Sequence, residues 1–394
     1  MTIRSKLSIV IENLPSIAMA YSEGVAGRVL RAVWGSLGAA LESGAWFCED
    51  EAWGVSLRSR GDMSYDLGLE EVEAAVRSVS LAPVKIGSLQ IVVALGFREG
   101  EISESRASWP VLEIAQYRFD MSAATLAYSA IAAGGITFAE QPIVSSVDQN
   151  EEFYRECLIR LPDGNGGHIM PGVYLPALER LGLTRAFDRF VVRETIMQLR
   201  RRPDLALGCN ISALSTKADI WWHSILTDLR RDPELARRLV IEVTETALLP
   251  DGKEALEFVS AFKATGCRIA LDDFGAGLSL VAFARSARPD IIKIDSIYVR
   301  DAAEFMAGME LLSSLVVMSS CLASQVVIEG IEDEQGLSAA RATGARWLQG
   351  YLLGRPSVPA DRGVRHIQAQ LTGAMATTTG LGGPDEVVGG MGMV

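Results

Sequence analysis

Residues 268–277 read RIALDDFGAG. Arg268–Leu271 has the length and apolar character of a buried strand, and it stops on two adjacent carboxylates, Asp272 and Asp273, before a turn carrying Gly275 and Gly277. Glycines there allow a tight loop beside whatever the carboxylates hold. The same pattern recurs on both sides. Apolar runs at Phe153–Leu161, Ala206–Ile211, Val240–Thr244, Ile291–Ile294, Val326–Ile328 and Trp347–Leu348 alternate with helical segments at Pro171–Leu181, Arg185–Arg201, Lys253–Thr265, Ala302–Ala323 and Glu332–Thr343. Repeated strand–helix units between residues 134 and 367 predict an α/β fold, either a parallel barrel or a doubly wound sheet.

The polar residues fall at the strand ends. They are Glu156, Asn210, Glu242 with Glu245, Asp272 with Asp273, Lys293 with Asp295, Glu329 with Glu332, and Gln349. One glutamate at a strand end is an ordinary loop carboxylate. Seven strand ends in succession are not, because the C-terminal ends of parallel barrel strands share one face. Carboxylates gathered there repel each other and need cations. The donors are oxygens, with no Cys or His among them, which suits Mg²⁺ or Mn²⁺ and not Zn²⁺. Asp272 and Asp273 suggest a pair of ions, one carboxylate bridging both and its neighbour binding one, the arrangement that activates water against a phosphodiester. Lys293 is the one basic residue of the set. It either orients the attacking water and offsets phosphate charge or serves as a structural counter-ion. Arg160 shares a strand face with Glu156 and Leu158 by period-two alternation and offers a fork of donors to a phosphate. Glu245, three residues past Glu242, reads as a residue that holds a loop.

The chain has 394 residues, 37 Lys+Arg against 49 Asp+Glu, and a net charge of −12. That balance argues against binding along a DNA or RNA backbone. It leaves room for a small phosphate ligand held through metal ions. Five scattered cysteines form no CxxC pair and no disulfide framework, which predicts a reducing, cytoplasmic setting. The uncharged stretch Met121–Ala139 is read as the end of a helix, a turn at Gly134-Gly135 and a strand, not as a membrane span.

Residues 1–130 read differently. Leu7–Ile11 and Trp53–Leu57 are strand-like, Val25–Leu41, Leu69–Val79 and Trp109–Ile131 helical, and Ile86–Phe97 reads as a hairpin turning at Gly87-Ser88. This predicts a smaller α/β module ahead of the barrel. Residues 373–394, rich in Gly, Thr and Met, read as a disordered tail.

Residues 134–360 resemble the EAL-domain phosphodiesterases, which hydrolyse the bacterial second messenger cyclic di-GMP. The resemblance is carried by Gln141-Pro142-Ile143-Val144, Glu156-Cys157-Leu158-Ile159-Arg160, Asn210-Ile211-Ser212, Glu242-Val243-Thr244-Glu245, Asp272-Asp273-Phe274-Gly275-Ala276-Gly277, Ile292-Lys293-Ile294-Asp295, Glu329-Gly330-Ile331-Glu332 and Gln349-Gly350-Tyr351, in the family's order. It implies a modified (β/α)8, TIM-like barrel, usually dimeric, that uses two Mg²⁺ or Mn²⁺ ions and releases linear pGpG. By position it implies Glu156, Asn210, Glu242 and Asp272 as first-metal ligands. Asp273 is then shared or serves the second metal, and Glu329 is a further ligand or contacts a metal-bound water. Lys293 and Gln349 resemble the family's water-positioning lysine and the glutamine near the nucleophile, and Glu245 its loop anchor. Gln141, Leu158 and Arg160 fall among the substrate-binding positions. The departures are Cys157, Leu161 and Leu278, where the family has alanine, tryptophan and tyrosine. A barrel that keeps the ligands but binds cyclic di-GMP without cleaving it is the alternative.

Residues 1–130 resemble a degenerate GGDEF (diguanylate cyclase) domain more weakly, through Glu12-Asn13-Leu14-Pro15, Tyr21 and a signature position at Cys48-Glu49-Asp50-Glu51-Ala52 that has lost both glycines. Val10 stands where the metal-binding aspartate belongs. The resemblance implies a module without cyclase activity.

Overall fold

A computed structural model describes residues 7–41, 46–51, 54–59, 65–99, 113–163, 167–244, 252–275 and 280–359. In chain order the strands are β1 (Leu7–Ile11), β2 (Trp46–Glu51), β3 (Gly54–Ser59), β4 (Val84–Ile86), β5 (Leu89–Ile91), β6 (Leu95–Glu99), β7 (Thr137–Ser145), β8 (Glu152–Pro162), β9 (His168–Ile169), β10 (Leu207–Ser212), β11 (Leu239–Thr244), β12 (Arg268–Phe274), β13 (Ile291–Ile294), β14 (Gln325–Ile328) and β15 (Trp347–Leu348).

Strands β10 to β15 follow one another in space, then β7 and β8, and β8 pairs back to β10. The predicted barrel therefore closes with eight strands, and β9 hangs from β8 as a short flap. One strand departs from the all-parallel expectation. β7 runs antiparallel to both β8 and β15. The cause is local: only Ser146–Glu151 separates β7 from β8, enough for a hairpin and too few for the helical crossover that parallel pairing requires. Helices such as Thr184–Arg201, Gly252–Lys263 and Met306–Leu322 form the outer layer. The helix expected over Ala302–Ala323 is two helices, Ser296–Glu304 and Met306–Leu322, parted at Phe305, whose backbone is extended. Gly308 lies against the backbone of Asp301 and Ala302, where a Cβ would sit 2.2 Å from the Asp301 carbonyl oxygen, so the second helix crosses the first closely.

Ahead of the barrel, β2, β3, β1 and β6 form an antiparallel sheet. The signature position Cys48–Glu51 lies on β2, which pairs with β3, Trp46 opposite Ser59 and Glu51 opposite Gly54, while Ala52 lies outside the described residues. The hairpin expected over Ile86–Phe97 is shorter: β4 and β5 turn at Gly87-Ser88, and the chain then continues into β6 beside β1. The helix expected from Trp109 is described from Ile114 to Ala132. No described helix is long and apolar enough to cross a membrane, and Met121–Ala139 is helix, turn and strand as read. Residues Met1–Pro359 form one unit, in which one large apolar core runs from Ile9 and Val33 to Ile292 and Leu348 and a second, smaller cluster includes Ile143, Tyr154 and Trp347. The tail from Ala360 onward, with the expected loose segment 373–394, lies outside the described residues.

Buried polar contacts join this module to the barrel. Arg180 makes a two-pronged ion pair with the fully buried Asp120, at 2.7 and 2.8 Å. Glu73, 2% exposed, accepts from the Ser224 hydroxyl and from Arg193.

Candidate active site

The strand ends do converge. Lys293 on β13 is fully buried, with its Nζ 2.6 Å from Glu242, 2.8 Å from Glu329, 3.1 Å from Asp272 and 3.3 Å from Glu156. Four strands thus aim carboxylates at one ammonium. Glu156 is the second hub. It accepts from Asn210 Nδ2 at 2.5 Å and from Gln349 Nε2 at 2.6 Å. Gln349 also donates to Gln141, which lies opposite Glu156 in the β7–β8 ladder.

Local backbone geometry explains how these side chains reach the site. Gly208 stands two residues before Asn210, where a Cβ would lie 2.1 Å from Glu242 Oε1 and 2.6 Å from the Tyr154 ring. The missing side chain is what lets Glu242 lean inward. Gly350 lies flat on Ile331, and Ile331 N–H donates to the Gln349 carbonyl, which ties Gln349 to the loop after Glu329. Asp273 adopts φ = +54°, a left-handed conformation uncommon outside glycine and stabilised here by its N–H donating to Asp272 Oδ1.

The electrostatics are those of a crowded acid cluster. Burial works to raise the Glu156 pKa, but Lys293 and the hydrogen bonds from Gln349 and Asn210 outweigh it and hold the carboxyl below its ordinary range. Glu242, deeper and beside Glu156 and Asp272, is pushed up to about 8 by burial, against the pull of Lys293. Burial raises Asp272 as well, and burial plus the neighbouring Asp272 takes Asp273 to about 6. Desolvation raises Glu329 well above the usual carboxylate range. Burial disfavours charge on Lys293, yet its four acidic neighbours keep its pKa well above the ordinary lysine value.

These residues fit divalent cations. Glu242 Oε2 meets Lys293, but Glu242 Oε1, Asn210 Oδ1 and Gln349 Oε1 are buried without a hydrogen-bond partner. Such oxygens are costly unless something positive meets them. Two carboxylate groups could each hold an ion, Glu156–Glu242–Asp272 and Asp272–Asp273–Glu329, each with one ligand atom per residue within 4.8 Å of the others. Asp272 belongs to both. With five carboxylates ionised against one ammonium, the cluster carries a formal −4, which two divalent ions offset.

Of the remaining expected residues, Leu158 and Arg160 continue the Glu156 face of β8, both partly exposed, and Arg160 donates to the Ile159 carbonyl. Cys157 is buried on the opposite face. Asp295 caps the helix Ser296–Glu304, and Glu332 is exposed. Glu245 and Leu278 lie outside the described residues. Gly208 and Tyr154 carry no charge and were not among the expected site residues. The sequence signal that finds them is their place two positions before Asn210 and Glu156.

Residues 126–356 match the model of the EAL domain, more than half of the chain. The chain belongs to the EAL-domain family. It is 27% identical over 209 residues to the cyclic di-GMP phosphodiesterase PdeF of Escherichia coli (strain K12), covering 52% of this chain and 28% of PdeF. It is 30% identical over 212 residues to the bifunctional diguanylate cyclase/cyclic di-GMP phosphodiesterase MucR of Pseudomonas aeruginosa, covering 52% of this chain and 31% of MucR. The chain thus spans about a third of the length of these relatives. The structure of the PaMucR phosphodiesterase in complex with c-di-GMP superposes with a TM-score of 0.53 at 26% identity, over 60% of this chain and 98% of that one. The Vibrio cholerae LapD S helix-GGDEF-EAL structure covers 90% of each chain at 16% identity and a TM-score of 0.55, a likeness of fold that includes the N-terminal module.

Proposed function

We propose that this EAL protein hydrolyses cyclic di-GMP to linear pGpG with two Mg²⁺ or Mn²⁺ ions. The observation that supports it most is the orphaned oxygen set of Glu242 Oε1, Asn210 Oδ1 and Gln349 Oε1 beside two carboxylate triads that share Asp272. Glu156, Asn210, Glu242 and Asp272 would hold one ion, and Asp272, Asp273 and Glu329 the other. When bound, the ions supply Lewis acidity that lowers the pKa of water and offsets charge on the phosphodiester.

The chain's own residues do the rest. Lys293 keeps its proton among four carboxylates, so it donates a hydrogen bond to the attacking water and does not act as a base. Gln349 Nε2, committed to Glu156, fixes its Oε1 toward the same space. Arg160, on the Glu156 face, holds a phosphate of the ligand, with Leu158 and Gln141 lining its approach. Glu245 would anchor the loop that begins at Asp272. The same reading divides the chain into a degenerate GGDEF-like module over residues 1–130 and a catalytic domain over 134–367. It expects a homodimer through the EAL domain, in the cytoplasm.

Cyclic di-GMP incubated with the protein and Mg²⁺ or Mn²⁺, then separated by ion-exchange chromatography, should give pGpG, and Glu156→Ala should give none. No pGpG with either ion at high protein concentration would overturn the reading. Tight binding without cleavage would turn it into that of a receptor.

A further inference from the structure

Asn210 has little freedom in this site. Its Nδ2 is committed to Glu156, and its buried Oδ1 has no protein partner. What holds its backbone lies outside the barrel. β10 ends two residues later at Ser212, and the chain enters a single 3-10 turn over Ala213–Ser215. Asp188, on the helix Thr184–Arg201, reaches that turn from the outer layer. One of its oxygens, Oδ2, accepts from the Ser212 backbone N–H at 2.9 Å and from the Ser215 hydroxyl at 2.6 Å. A second outer helix, Pro171–Arg180, places Glu179 to accept from the Ser212 hydroxyl at 3.0 Å. Two carboxylates therefore grip the segment that directly follows Asn210.

Asp188 is an unusual choice for a purely structural role. It is 3% exposed, and among the described residues no lysine or arginine makes an ion pair with it. Burial pushes its carboxyl up to about 7. Taking such a group out of water is unfavourable unless its hydrogen bonds fix something that matters.

We propose that Asp188 is a positioning residue that fixes Asn210 toward the first divalent ion, acting through Ser212 and Ser215 and touching neither ion nor substrate. The inference rests on the two-ion hydrolase reading for the identity of what Asn210 binds. Groups that orient metal ligands typically alter metal affinity about 10- to 100-fold when removed.

The test is calorimetry with Mn²⁺ alone on the full chain, without nucleotide, alongside thermal unfolding. Asp188→Ala should weaken Mn²⁺ binding at one site about 10-fold. Asp188→Asn, which keeps a carbonyl oxygen in the same place, should stay within about 3-fold of the parent, and Ser215→Ala should fall between the two. Val192→Ala, a buried truncation on the same helix, should lower the unfolding temperature and leave Mn²⁺ affinity unchanged. Parental Mn²⁺ binding by Asp188→Ala would overturn the proposal, as would an equal loss in Val192→Ala or in Asp188→Asn. A parent protein that binds Mn²⁺ but yields no pGpG would sink the hydrolase reading and leave the Asp188 assignment standing. A parent that binds no Mn²⁺ would sink both.

Discussion

The inside of the barrel has two layers, and the same eight strands build both. The lower layer is Ile143, Tyr154, Val240, Ala270, Ile291, Val327 and Trp347, an apolar cluster completed by the bare backbone of Gly208. The upper layer is Gln141, Glu156, Glu242, Asp272, Lys293, Glu329, Gln349 and Asn210. In seven strands the upper residue follows the lower by two positions: Tyr154 to Glu156, Gly208 to Asn210, Val240 to Glu242, Ala270 to Asp272, Ile291 to Lys293, Val327 to Glu329, Trp347 to Gln349. In β7 the order is reversed, Gln141 before Ile143, because that strand runs the other way. One step of strand alternation, about 6.6 Å along the chain, separates a dry floor from a charged site. If the floor sets the shape and the upper layer carries the proposed chemistry, substitutions in the two should separate stability from turnover.

Lys293→Met tests the upper layer hardest. It leaves Glu156, Glu242, Asp272 and Glu329 facing one another with no cation of the protein's own. Breaking a buried ion cluster from one side costs about 3–5 kcal/mol, so the metal-free variant should unfold at a much lower temperature and recover more on adding Mn²⁺ than the parent does. Turnover of cyclic di-GMP should fall about 10³-fold or more. Val327→Ala, in the floor directly beside Lys293 in the β13–β14 ladder, should lose about 1–3 kcal/mol of stability and keep kcat within about 2-fold. Equal kcat losses in the two variants would break the division into layers.

Gly208→Ala sits where the layers meet. Its new Cβ must move Glu242 or Tyr154, because both occupy the space it would take. A displacement of about 1 Å at a catalytic group costs about 10²-fold in rate, and here the fall should appear in kcat together with weaker Mn²⁺ binding in calorimetry. Unchanged Mn²⁺ affinity would mean that Glu242 does not need the gap above Gly208.

Much of this was legible from sequence because a barrel turns strand ends into neighbours. Glu156, Asn210, Glu242, Asp272, Lys293, Glu329 and Gln349 were each named from their place after an apolar run, and the structure gathers them within hydrogen-bond or ion-pair contact. What escaped were residues whose role depends on packing. β7 looked like any apolar strand, and only the short link to β8 shows that it must run backward. Phe305 splits an unbroken apolar helical pattern, since the break comes from Gly308 meeting Asp301 across the crossing. Gly208 and Asp188 carry no motif of their own, because one works by leaving space and the other through a turn on the next element. In the N-terminal module a strand near Trp53–Leu57 was readable, while the proposal that the module lacks cyclase activity rests on the glycines missing from Cys48–Ala52. GTP with Mg²⁺ should therefore yield no cyclic di-GMP, measured by chromatography.

The two layers also differ in how they titrate, which gives the gentlest test. In the metal-free protein Glu242 of the upper layer is raised to about 8, and outside the two layers Asp273 is raised to about 6 and Asp188 to about 7. Each of these acids binds its proton more tightly folded than unfolded. The native state therefore holds more protons between the unfolded carboxylate pKa, about 4, and about 8, and stability falls as pH rises through that window. Glu156 has the opposite sign, but its depressed pKa acts only below that window. The floor contributes nothing here, because its one titratable group, Tyr154, is pushed well above its ordinary value. Calorimetric scans of metal-free protein should show the unfolding temperature dropping by several degrees from about pH 5 to about pH 8. Glu242→Gln should flatten that slope, because a neutral amide releases no proton. Val327→Ala should lower the whole curve without changing its slope. Saturating Mn²⁺ should oppose the slope, since the ions bind the deprotonated carboxylates that the higher pH supplies. A parent curve already flat without metal would show that the upper layer keeps its carboxylates ionised by other means, and the charge difference between the two layers would then need another account.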